Sequence, residues 1–276
     1  MKKIGAYSNT HSFPSWSFKF PRIVLFWHRL NRLVTLRYWY VVPKIKALVK
    51  DLPRGAKVLE VGSGSGEILF TLPKHVKLIG LDMVKDNIQM AESISQKLNR
   101  KVEFINQDFL SLEDEKFDLI YMVGVLQAIP NFEAAMNKIQ GLAQVGSSLA
   151  LYIPIREHSR WKLNQWLSKK IQDADYVQSH AQGKHFPLDS FNIELESRGF
   201  SLDETIITYG IFGNLAYQLY LSLNYLTQAL PFALIWVSLI WWLPGFLILF
   251  LLYLLDILWP NSEGRSALIL ATKQRP

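Results

Sequence analysis

Cysteine is absent from all 276 residues, which excludes disulfides, thiolate zinc sites and cysteine nucleophiles together. Charge is scarce as well. Asp, Glu, Lys and Arg make up 19% of the chain, against about 25% in an ordinary soluble domain. The deficit is local: none of those four residues occurs from Thr205 to Leu255. Acid is missing elsewhere. Before Asp51 the chain carries Lys2, Lys3, Lys19, Arg22, Arg29, Arg32, Arg37, Lys44, Lys46 and Lys50 without one Asp or Glu. Such a stretch suits an anionic surface, either membrane or nucleic acid. Trp16, Phe18, Phe20, Phe26, Trp27, Trp39 and Tyr40 are interleaved with these cations, a mixture that favours the membrane interface. Met1-Lys2-Lys3 opens like a secretory leader, but Ser8-Asn9-Thr10-His11 stands where its apolar region would begin. No cleaved leader is expected.

What the middle of the chain does have is rhythm. Val58–Val61, Val76–Leu81, Val102–Ile105, Leu119–Val123 and Ser148–Ile153 are short runs rich in branched residues, and they read as buried strands. Helices are expected between them at about Gly66–Leu72, Val84–Leu98 and Phe132–Leu142, the last with Asn131 as its N-cap. That alternation predicts a Rossmann-like, doubly wound α/β fold with a mostly parallel sheet. Beyond Pro154 a polar helical region covers Arg156–Gln182. A further helix then ends at Arg198-Gly199, where the glycine suits the position just past a helix. Phe200–Thr208 and Ser266–Lys273 complete seven strands.

The strongest local signal is Val58-Leu59-Glu60-Val61-Gly62-Ser63-Gly64-Ser65-Gly66-Glu67. An apolar strand running into a G-x-G-x-G loop lets backbone pass close to a ligand. A nicotinamide-dinucleotide site would instead present G-x-G-x-x-G. Asp82 closes the second strand, where an acid can accept from ribose hydroxyls. Asp108 follows the third strand and suits an exocyclic amine, with Phe109 as a stacking wall. The fourth strand, ending at Val123, supplies the pocket floor.

At these residues the chain resembles the class I S-adenosylmethionine (SAM)-dependent methyltransferases, over roughly Leu52–Phe200 and again at Ser266–Lys273. The resemblance implies SAM as cofactor, with Ser63 in the binding loop and Gly62, Gly64 and Gly66 lining its methionine and ribose. It implies Glu60 near the methionine amino group, Met83 against the adenine and Asp108 at the adenine amine. Many relatives carry a His at or near the position of Gln127, so a His general base there is not expected. No metal motif of the family matches.

The acceptor side is expected at the carboxyl ends of the strands. There His158 or Glu157 can serve as a general base, with His185 as a second candidate, while Arg156 and Arg160 can grip a phosphate or carboxylate. Gln127 is placed beside the acceptor.

Between the sixth and seventh strands, where the family has a tight hairpin, stands an apolar insertion. Leu230–Leu255 is interrupted only by Ser238 and two prolines, and it exceeds the stretch of about 20 residues that spans a bilayer. Both flanks belong to one sheet, so a single crossing is excluded. One solution is a two-span hairpin of Gly210–Gln228 and Leu230–Trp259. The other is a re-entrant loop broken at Pro244-Gly245 into arms Phe232–Leu243 and Phe246–Ile257. The stripe Asn214, Gln218, Ser222 favours the re-entrant form, because polar groups sit better at an interface than across hydrocarbon.

The expected organisation is a basic, aromatic helical segment over 1–51, a SAM-binding core over 52–209, a membrane-inserting helical segment over 210–260 and a final core strand within 261–276. The expected function is methyl transfer to a lipid-like acceptor at the membrane, with the catalytic domain on its cytoplasmic face. A membrane-anchored methyltransferase of a soluble molecule, or a non-catalytic scaffold of the same fold, is the alternative. No nucleic acid partner is expected, because the target-base motif Asn-Pro-Pro-Tyr is absent.

Overall fold

The computed structural model describes residues 21–156, 161–170, 184–230, 234, 237–259 and 261–275. Two helices, α1 (Pro21–Val34) and α2 (Leu36–Asp51), lead into the core. There β1 (Lys57–Val61), β2 (Lys77–Asp82), β3 (Glu103–Asn106), β4 (Phe117–Val123) and β5 (Ala143–Pro154) alternate with α3 (Lys85–Leu98) and α4 (Phe132–Leu142). After α5 (Lys162–Lys170) and α6 (Leu188–Ser197) come β6 (Phe200–Thr208), α7 (Ile211–Gln228), α8 (Leu239–Leu258) and β7 (Ser266–Lys273).

The seven strands form one sheet in the order β3-β2-β1-β4-β5-β7-β6. β1 to β5 run parallel, and β7 lies antiparallel between β5 and β6. The period of two along each strand explains why both faces are covered. Leu149, Leu151 and Ile153 of β5 enter one apolar cluster with Met136 and Ile139 of α4 and Leu195 of α6. Ala150 and Tyr152 enter the other, beneath Val41, Ile45 and Val49 of α2. A strand buried on both sides has no reason to alternate polar with apolar, which is why these runs are continuous in the sequence. Each fully buried aliphatic side chain contributes about 1.5–3 kcal/mol.

Local chemistry accounts for the boundaries. Asn131 caps α4 by accepting from the Ala134 amide at 3.0 Å, and Gly199 takes φ +81° after α6. The expected helix over Gly66–Leu72 is not formed: only a single 3-10 turn, Leu69–Thr71, is present. Gly66 sits at φ +83° and Pro73 disfavours helical backbone just before it. The interval is too short to repay helix nucleation.

The insertion is a pair of antiparallel helices, and its two ends meet where Thr208 pairs with Ser266. The expected break at Pro244-Gly245 does not occur. α8 continues through Pro244, and Gly245 serves close packing, since a Cβ there would stand 2.6 Å from Leu223 Cδ1. The polar stripe of α7 also departs from expectation, because it turns inward. Gln218 and Ser222 are buried against α5, where Asn164 Nδ2 donates to Gln218 Oε1 at 3.0 Å and Ser222 Oγ donates to Asn164 Oδ1 at 2.8 Å. Asp256, the lone acid of α8, is buried at its C-terminal end. Its carboxylate accepts from the Gly213 amide at 2.8 Å and from Tyr40 Oη at 3.0 Å. The hairpin is thereby fastened to α2.

Candidate active site

The strand order reverses direction between β1 and β4, and in open α/β sheets the crevice at such a switch point is where ligands bind. The loop Gly62–Glu67 sits there. Gly62 (φ +70°) and Gly64 (φ +53°) adopt left-handed backbone, which side chains disfavour. A Cβ on Gly62 would fall 2.3 Å from Val125, whereas one on Gly64 would meet nothing within 4 Å. Gly62 is therefore dictated by packing, and Gly64 by its backbone angle and by open space in front of the loop.

Asp82 ties that loop to β2. One carboxylate oxygen accepts from the Gly64 amide at 2.8 Å, and the other accepts from the Val84 amide at 2.8 Å. A carboxylate offers about four lone-pair positions, so acceptor capacity remains for a hydroxyl. Met83 follows with half its surface exposed. Glu60 lies deeper, accepting from Tyr121 Oη at 3.0 Å. Burial pushes its carboxyl well above the ordinary range, with the Tyr121 hydrogen bond opposing. Val123 ends β4 half-buried beside Gly124.

Asp108 is exposed and accepts from the Leu110 amide at 3.0 Å, capping a short 3-10 turn. Phe109 does not form the expected wall. Its side chain is buried in the core among Leu59, Leu81 and Leu112. Gln127 Nε2 donates to the Gly124 carbonyl at 2.8 Å, while its Oε1 is buried with no hydrogen-bond partner among the described residues. The Ser63 hydroxyl is likewise buried and unpartnered. Two such polar atoms, one in the glycine loop and one just after β4, fit a bound polar ligand, since such groups cost free energy when unsatisfied.

On the acceptor side Arg156 is placed at the surface, where Nη1 pairs with Glu263 at 3.0 Å. The Arg156 guanidinium thus already has a carboxylate partner from the segment before β7. His185 is exposed in the segment before α6. Glu157, His158 and Arg160 lie outside the described residues.

Four further residues close over the loop from the first two helices and the loop's own end. His28 Nε2 stands 2.8 Å from Ser65 Oγ and 4.0 Å from Glu67 Oε1. Tyr38 Oη donates to Glu67, and Arg37 Nη2 donates to Tyr38 Oη at 3.3 Å. Burial lowers the His28 pKa, Glu67 raises it and Arg32 lowers it further. Burial also raises the Tyr38 hydroxyl above its usual value. These residues carry no motif. The one available signal is spacing: His28 stands four residues after Val24 on the stripe of α1 that turns inward.

A parallel sheet extended by an antiparallel β7, with a glycine loop and an acid at its switch point, defines a Rossmann-like protein built to hold a nucleoside. Residues 52–187 match the family model for a methyltransferase domain, and over that stretch the chain is similar to SAM-dependent methyltransferases, whose cofactor is S-adenosylmethionine. It is 26% identical over 125 residues to the ubiquinone biosynthesis O-methyltransferase of Rickettsia typhi, a stretch covering 44% of this chain and 49% of that protein. The matched part thus spans about half the length of that relative. The SAM-dependent methyltransferase of Geobacter sulfurreducens, solved with S-adenosyl-L-homocysteine, superposes with a TM-score of 0.52 at 15% identity, covering 84% of this chain and 90% of that one. The cyclase SpnF superposes with a TM-score of 0.55 at 14% identity, covering 84% and 82%. At such identities the likeness is one of fold, and the same fold carries different reactions.

Proposed function

We propose that this chain transfers a methyl group from SAM to a lipophilic acceptor at a membrane surface, with its sheet on the cytoplasmic side. The carrying observation is the placement of an exposed apolar helix within a methyltransferase sheet. Only 22% of the most apolar stretch of α8 is buried, and Ile240, Leu243, Leu247 and Leu258 are each more than 60% exposed. Exposed apolar surface of this extent marks a protein or membrane contact. The name of the Rickettsia relative, with its quinone pathway, supports a lipophilic acceptor.

A monotopic seat suits this face better than a crossing. α5, with exposed Lys162, lies beside the middle of α7, and Asn164 pairs there with Gln218 and Ser222. A charged, half-polar helix at that depth keeps α7 near the interface and leaves α8 to meet the lipid.

When bound, SAM supplies a sulfonium-activated methyl group for in-line displacement by the acceptor. The Gly62–Gly66 loop, Asp82, Met83 and Ser63 would hold that cofactor, and Gln127 would stand on the acceptor side. His28, Tyr38 and Glu67 fasten the two leading helices over the loop, which keeps water from the reacting atoms. Alignment and desolvation account for much of the rate in such a displacement, so no general base is assigned. Mass spectrometry of total lipids from cells with and without the protein tests the reading. The expected result is a lipid species heavier by one CH₂ when the protein is present. An unchanged lipid profile, with a methylated water-soluble product instead, refutes the lipid acceptor.

A further inference from the structure

A groove of about 300 Å³ runs between the outer faces of α1 and α3, away from the SAM loop. Its apolar lining comes from Leu25, Phe26 and Ile94, and its cations are Arg22, Arg29 and Lys97. Among the described residues no carboxylate lines it, and none of these three cations forms an ion pair.

The arrangement follows from helical spacing. Arg22, Phe26, Arg29 and Leu33 stand at i, i+4, i+7 and i+11, on one face of α1. Phe26 is 61% exposed and Leu33 50%, so that face alternates cation with large apolar group. The opposite stripe, with Val24 and His28, is buried against α3 and the SAM loop. Like charges that line one groove repel one another unless a counter-charge joins them.

We infer that this groove binds the phosphodiester headgroup of an anionic phospholipid, with the acyl chains leaving along Phe26 and Leu33. The inference rests on the membrane association proposed above and adds a specific lipid class to it. A free phosphate would satisfy Arg22, Arg29 and Lys97 but would leave the apolar groups beside them in water. A headgroup attached to acyl chains satisfies both. α1 also packs on the membrane-facing helix, Tyr253 Oη donating to the Val34 carbonyl. The groove and the apolar face of α8 therefore belong to connected elements.

The test uses the full chain reconstituted into bilayers of equal phosphatidylglycerol and phosphatidylcholine, then extracted in mild detergent for native mass spectrometry. Wild-type protein should retain phosphatidylglycerol in preference to phosphatidylcholine. Replacing one cation by Gln should weaken that preference about fivefold, and Arg22→Gln/Arg29→Gln/Lys97→Gln together on the order of a hundredfold. Partition into pure phosphatidylcholine vesicles depends on α8, tests the membrane reading by itself and should not change. Equal retention of the two lipids by wild type, or an undiminished preference in the triple variant, overturns the inference. So does a groove that takes inorganic phosphate without lipid preference. A preference that arises only after deletion of residues 1–20 would show the chain's own segment to be the occupant, and it too overturns the proposal.

Discussion

Asp256→Ala should loosen the α7–α8 hairpin from the catalytic sheet, and the contacts set the size of the effect. α7 begins after Gly210, a residue with no side chain to cap the helix. The amide of Gly213, at the third helical position, is among the donors that a helix leaves unsatisfied. Asp256 accepts from it at 2.8 Å across the hairpin and so caps α7 from another helix. Removing the carboxylate strands that buried amide, at about 1–3 kcal/mol. Tyr40 Oη loses less, because it also donates to the Asp256 main-chain carbonyl at 2.8 Å. The sum is about 2–4 kcal/mol, which for a chain of this size lowers the melting temperature by roughly 5–10 °C. Asp256→Asn keeps an acceptor oxygen for Gly213 and should lose no more than about 1 kcal/mol. Circular dichroism melts in mild detergent, with limited proteolysis across 229–238, give both readouts. An alanine variant as stable as wild type refutes the capping role. An asparagine variant as weak as alanine would mean that charge, rather than an acceptor, is what α7 requires.

Further outcomes follow from the site and the apolar face. Asp82→Ala frees the Gly64 and Val84 amides as well as a ribose partner, so calorimetric SAM affinity should fall by about 2 kcal/mol or more. Gly64→Val, strained at φ +53° and filling the open side of the loop, should abolish binding, and wild-type affinity in both variants would remove the cofactor site from this loop. Ile240→Glu/Leu247→Glu/Leu251→Glu changes one exposed face of α8. It should release the protein from phosphatidylcholine vesicles while leaving its melt in detergent unchanged, since each residue forgoes about 1.5–3 kcal/mol of apolar burial. Methylation of a bilayer-embedded acceptor should then drop far more than methylation of a short-chain analogue, and an equal loss on both would argue for a soluble substrate. His28 is held neutral, with its pKa lowered from 6.5. Its contribution to stability is whole above pH 6.5 and is lost as pH falls through the lower folded value. Thermal melts between pH 7.5 and 5 should decline for wild type and flatten for His28→Gln, and parallel curves would show that His28 does not govern the change.

The strands were legible because burial on both faces leaves no polar alternation. Val58–Val61 and Ser266–Lys273 reappear with β1 only one residue longer and β7 unchanged. The glycine loop and Asp82 were legible for a different reason, since close approach and left-handed backbone limit residue choice locally. The inward stripe of α7 was not. Asn214, Gln218 and Ser222 look alike whether they face water or a partner, and the partner, Asn164, lies 54 residues before Gln218. Pro244-Gly245 misled in the same way, because a proline early in a helix and a glycine at a helix crossing write the same letters as a break. His28, Tyr38 and Glu67 meet only through packing of α1 and α2 over the loop, so no local pattern announces them.

The position of the hairpin also imposes a schedule on synthesis. β7 is the strand that joins β5 to β6, and the ribosome makes it only after α7 and α8. Until then β5 presents an open apolar edge while some of the most membrane-seeking residues of the chain have already emerged. The non-local pairing of β5 with β7 must wait for that hairpin to be made, since long-range strand pairing is the slow step in such topologies. Sheet closure therefore doubles as a checkpoint. A chain whose hairpin has not folded would keep an unpaired strand edge exposed to chaperones and proteases, so the nucleoside-binding half would mature only once the last strand is in place.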